Sequence, residues 1–129
     1  MKYVVLVLRV LLGLAFLAFG SNMLHPWMPQ PSMSGEPAAY MAVMFGTHAI
    51  WVVGFFQALS GLLLLVGRYV PLALTILSAI IVNIWAYHLF IAHSDYGMPL
   101  VVTLLVAVLI WAYRGSFAGI FNASAQPSV

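Results

Sequence analysis

Few side chains in this 129-residue chain could do chemistry, and they stand out against apolar surroundings. Arg9, Gln57, Asn83, Tyr87 and His88 interrupt long hydrophobic runs. A guanidinium carries a fixed charge and five donors, an amide both donates and accepts, and a neutral imidazole does one at each nitrogen. Together they could bind a ligand inside the protein, hold quinone carbonyls or relay a proton. A second set is made of His25, His48, His88 and His93 with Met23, Met28, Met33, Met41, Met44 and Met98. Imidazole and thioether are copper ligands, with thioether favouring Cu(I), and histidine pairs hold haem axially. No pair has a ligand spacing such as H-x3-H. The metal-ligating candidates His25, His48, His88, His93 and Met44 therefore define no set, and methionine is also a common apolar filler. The chain has no cysteine, which excludes disulfides and thiol chemistry of its own. Its two acids, Glu36 and Asp95, lie in connecting segments, and no phosphate loop is present. No catalytic set is legible.

Composition determines what must position these groups. The chain is 65% hydrophobic and 5% charged, with mean hydropathy +1.13, whereas a soluble domain carries about 25% charged residues. Lipid is therefore the expected solvent, at roughly 20 apolar residues per helical crossing. The expectation is a single all-α domain, residues 1–129: an integral membrane four-helix bundle with spans near 3–24, 40–66, 70–92 and 98–113. His25-Pro26 ends the first span, because the residue before proline leaves the α region. Residues 25–39 hold several prolines and form an outer loop, Gly67 marks a turn, and Pro71 and Pro99 open the last two helices. The apolar run after Lys2 is long for a signal peptide and reads as a retained helix. Residues 114–129 form a cytoplasmic tail with an interfacial stretch at 117–121.

Four crossings put Lys2, Arg68 and Arg114 on one side, which the positive-inside rule makes cytoplasmic, together with both termini. Trp27, Tyr40, Tyr69, Tyr96 and Tyr113 fall near helix ends, as an aromatic belt does. The net charge of +2 is spread over four scattered cations, so nothing suggests nucleic acid.

Arg9 lies about two turns into the first span. It either snorkels to headgroups or faces the bundle on a stripe with Gly13, Phe16 and Gly20, where Gln57 is the natural partner. Gln57, flanked by Gly54, Ala58 and Gly61, and Asn83, one turn before Tyr87, could equally be structural contacts between helices. His88 could be a neutral histidine with one hydrogen-bond partner.

Arg9 and the run Gly13–Asn22 resemble the opening R-x3-G-x2-F-x3-G signature of the DoxX-like family. Residues 57–68, the N-I-W-A-Y-H-L-F stretch at 83–90, and Tyr113-Arg114 followed by Phe117 and Phe121 resemble its later segments. The likeness covers nearly the whole chain and implies a multi-pass protein of the bacterial inner membrane. Family members have been tied to quinone-linked sulfur oxidation, redox-stress complexes and maturation of periplasmic redox enzymes. Two departures stand out: many members carry glutamate where Gln57 stands, and often lysine near Asn22.

The first expectation is accordingly an accessory inner-membrane subunit without catalysis of its own, docking or anchoring a quinone-linked redox enzyme or complex. Its partners are the lipid bilayer and either another protein of the complex or further copies of itself. The alternatives are a quinone- or haem-linked electron-transfer component using the interior polar residues, and a small copper-handling or transport protein using the outer histidines and methionines. Quinone or haem is possible as cofactor, and none is required.

Overall fold

The computed structural model describes residues 1–129. Every regular element is helical: α1 (Lys2–Leu24), α2 (Gly35–Gly46), α3 (Ile50–Val66), α4 (Val70–Ala86) continued by a π-helical turn (Tyr87–Ala92), α5 (Gly97–Ala112) and a 3-10 helix (Arg114–Phe121). Lys2–Leu24 and Val70–Ala92 are each 23 residues long and apolar enough to cross a membrane. Two further crossings result if each bent pair, α2 with α3 and α5 with the 3-10 helix, counts as one span.

Helices α1, α3, α4 and α5 form the bundle, with α1 and α3 in the most extensive contact. That contact rests on glycine. A Cβ on Gly61 would lie 2.5 Å from the Leu17 nitrogen and 2.6 Å from the Gly13 carbonyl oxygen. One on Gly13 would lie 2.9 Å from the Gly61 oxygen. Backbone meets backbone here, as small residues allow between apolar helices. Between α4 and α5, the Trp85 indole N–H donates to Thr103 Oγ1 (2.7 Å), whose hydroxyl donates to the Pro99 carbonyl (2.6 Å).

The two ends of the bundle differ. Leu12, Leu64, Val70, Leu74, Val106, Leu109 and Phe117 belong to one continuous buried core. In α4 the buried positions 70, 73, 74, 77 and 81 follow the helical period, so one face carries that core. Phe117 joins it from the 3-10 helix, so the 117–121 stretch is anchored by its first residue while its remaining residues are exposed. Toward the other end this close packing gives way to a cavity. The outward surface is apolar as well: Phe90 is 72% exposed and Val82 70%.

The second expected span is not one helix. Between α2 and α3 the chain bends by 83° at Thr47–Ala49. Thr47 Oγ1 donates back to the Val43 carbonyl (2.6 Å), and His48 takes a left-handed conformation (φ 64°) and stacks on Trp51 at 4.3 Å. The polar Thr47-His48 pair after Gly46 supplies the break. Helix α3 alone is 17 residues, about 25 Å at 1.5 Å per residue. Helix α2 has no buried residue and lies across the end of the bundle against the π turn.

Ser60 gives a local prediction. It is fully buried in α3 and its hydroxyl has no partner. An unpaired buried hydroxyl costs stability, so Ser60→Ala is expected to leave the melting temperature unchanged or raise it, measured in mild detergent.

Candidate ligand cavity between the helices

The cavity measures 270 Å³, and sixteen of its twenty-one lining residues are hydrophobic. It takes residues from α1, the 25–34 loop, α2, α3, α4, the π turn and α5. Wall residues Phe19 and Met98 are 43% and 46% exposed, and Asn83 is exposed too, so the space is open at its side.

Four of the five interior polar residues singled out in the sequence come together here: Gln57, Asn83, Tyr87 and His88. Gln57 is 3% exposed and lines the cavity; its amide has no hydrogen-bond partner in the protein but, unlike the Ser60 hydroxyl, is not sealed off. An amide left that way in an apolar setting costs several kcal/mol unless something enters to meet it. His88 is buried, and its Nδ1 lies 3.0 Å from the Ser94 carbonyl oxygen. A carbonyl can only accept, so Nδ1 carries a proton, and in the neutral ring Nε2 is left as an acceptor. The π turn produces this arrangement: it adds a residue to the helical turn that holds His88 and brings the chain back at Ser94. Such turns are frequent at functional sites.

Arg9 is not part of the cluster, and the expected Arg9–Gln57 contact does not form. The guanidinium packs over Gly67, where a Cβ would come within 2.9 Å of Nη1 and 3.0 Å of Cζ. Gln57 is ten residues back along α3, roughly 15 Å away at the helical rise. The expectation placed Gln57 close to Arg9 in depth. Instead Gly67 is level with Arg9, and the first two turns of α1 project beyond it.

Other lining residues lie outside the interior polar set. Tyr40, expected in an aromatic belt, comes from α2, and its ring lies 5.3 Å from that of Tyr87, which in turn meets His88 edge-on at 5.1 Å. Nothing in the sequence signals this, because it depends on the α2–α3 bend. Asn22 lines the cavity and accepts from the backbone N–H groups of Trp27 and Met28, both at 2.9 Å, pulling the outer loop back over α1. Met23, Met33, Met41 and Met98 join Met44 in the wall. The remaining histidines are dispersed. His25, His48 and His93 are exposed, and no group of three His, Cys, Asp or Glu side chains is placed to hold a metal ion. Only His88 and Met44 of the metal candidates share the cavity.

What the site can do follows from this inventory. It is apolar and carries no formal charge, with amide and hydroxyl donors on its walls and one imidazole acceptor. It suits a neutral, lipid-soluble molecule with oxygen atoms to pair. No protein-family model matches the chain, and no curated protein and no solved structure matches it.

Proposed function

We propose that this chain is a membrane-embedded bundle that binds the head group of a quinone or quinol in the cavity between its helices. The observation that carries the reading is Gln57: an amide with no protein partner, opening on the same cavity that His88 lines. A quinone presents two carbonyl acceptors, which the Gln57 and Asn83 amides can meet as donors. A quinol presents hydroxyl donors, one of which His88 Nε2 can accept. The volume is just below the 300–1,000 Å³ usual for small-molecule sites, which suits a single ring with its tail leaving through the open side and disfavours a porphyrin.

Membrane placement is part of the same proposal. Lys2, Arg9, Arg68 and Arg114 gather at the end of the bundle that holds both termini and the α3–α4 turn, while Glu36 and Asp95 lie at the other. This polarity supports a cytoplasmic position for the termini. The resemblance to the DoxX-like proteins supports a bacterial inner membrane and an association with quinone-linked redox enzymes.

A second reading has one observation in its favour. Five methionines line the cavity that His88 enters, a donor set suited to Cu(I). The amides of Gln57 and Asn83 have no use in such a site, which ranks it second.

Titration of the purified protein in nanodiscs with a short-tailed 1,4-benzoquinone, and separately with Cu(I), decides between them. The quinone is expected to raise the melting temperature saturably, since a ligand bound only by the folded state stabilises it by about 2.7 kcal/mol at a hundred times its Kd. Stabilisation by Cu(I) alone would replace this reading with the second, and no response to either would remove both.

A further inference from the structure

The opposite end of the bundle holds a second cavity, of 320 Å³, lined by Lys2, Tyr3, Val5, Leu6, Arg9, Ala112 and Tyr113. It lies where the projecting first turns of α1 meet the end of α5. Arg9 is its most constrained member. The Nε is fully buried without a hydrogen-bond partner, and the face of the guanidinium is backed by Gly67. Gly67 sits at φ 80°, so glycine is required there twice over: for the turn and for the room it leaves the guanidinium.

The charge of Arg9 has no counterpart in the bundle. The only side-chain carboxylates, Glu36 and Asp95, lie at the far end. A partly desolvated guanidinium with free N–H donors is costly without an anion. Lys2 lines the same cavity and adds a second cation, and the hydroxyls of Tyr3 and Tyr113 add donors. A planar fork that shares a cavity with a lysine and two tyrosines matches a phosphate group better than a carboxylate, because a phosphate offers more acceptor oxygens to meet such donors. Arg114 is differently occupied. Its Nη1 donates to the Trp111 carbonyl at 2.9 Å, and its guanidinium stacks 4.5 Å above the Trp111 ring.

We infer that this cavity binds one phosphate-bearing anion, with Arg9 as its central contact and Lys2 and Tyr113 beside it. The phosphate can come from a phospholipid head group at the membrane surface or from a free anion. The site stands apart from the quinone cavity and does not depend on that reading.

The test uses the full chain in mild detergent, delipidated and then titrated with phosphatidylglycerol, with diacylglycerol, which lacks phosphate, and with inorganic phosphate. Adducts are read by native mass spectrometry and stability by melting temperature. One phosphatidylglycerol retained per chain, with diacylglycerol inert, is the expected result. An equal stabilisation by inorganic phosphate would identify the source as a free anion, with the same contacts. Arg9→Gln is expected to weaken binding at least tenfold, and Arg114→Gln to leave it at the wild-type value. Should Arg9→Gln fail to fold, Lys2→Gln and Tyr113→Phe make the same comparison, with about fivefold weakening expected for Lys2→Gln. No phosphate-bearing adduct with either probe would overturn the inference. So would binding that survives Arg9→Gln unchanged, or that survives both other substitutions.

Discussion

Gly61→Ala lowers the stability of the bundle by about 1–3 kcal/mol, the usual cost of overpacking a tight interior. The added methyl would sit 2.5 Å from the Leu17 nitrogen and 2.6 Å from the Gly13 oxygen. Both are backbone atoms, so no rotamer change can relieve the clash and α1 must move away from α3. The loss carries further, because Gln57 stands one turn before Gly61 on α3 and Phe16 and Phe19 reach the cavity from α1. Gly97→Ala is the matched control, since nothing lies within 4 Å of the Cβ it would add. Melting curves in mild detergent should show a clear fall for Gly61→Ala and none for Gly97→Ala. Equal melting temperatures would mean that the glycine contact is not what holds α1 to α3.

Gln57→Leu separates binding from stability. Leucine fills nearly the same space but offers nothing to a ligand. If the amide meets a quinone oxygen, its loss weakens binding by roughly tenfold to a hundredfold, corresponding to about 1.4–2.8 kcal/mol. Stability without ligand should stay level or rise, because an unpaired buried amide has been replaced by an apolar group. An amide that served as interhelical glue would behave oppositely, and the variant would then melt lower with or without quinone. Measuring both quantities on the same preparation distinguishes the two roles.

Much of the helix pattern was legible in the sequence because its signals are local. His25-Pro26, Gly67 before Pro71, and Pro99 each act on the backbone beside them, and α1, α4 with its π turn, and α5 fall within a residue of the expected spans. The second span was misread because hydropathy averages across a break. Residues 40–66 are apolar enough to read as one helix, yet Thr47 and His48 turn the chain by 83°. That bend takes residues 40–49 out of the expected span and lays 40–46 across the bundle end as part of α2, which is how Tyr40, Met41 and Met44 enter the cavity.

The candidate site was legible in part for a similar reason. Asn83, Tyr87 and His88 are neighbours along one helix, so their grouping follows from spacing. Gln57 joins them only through the packing of α3 on α4, and the expectation gave it Arg9 as a partner instead. Relative depth of antiparallel helices is set by side-chain contacts such as Arg9 over Gly67. No single helix records that register. The proton position on His88 was likewise out of reach, since it depends on the Ser94 carbonyl that the π turn presents.

The most direct measurement is photolabelling with a short-tailed azidoquinone in nanodiscs, with the modified peptides identified by mass spectrometry. Label is expected on the α3 segment around Gln57 and on residues 83–88, and excess unlabelled quinone should remove it. Label confined to outward residues such as Val52, Val82 and Phe90, unaffected by competitor, would contradict a quinone site between the helices.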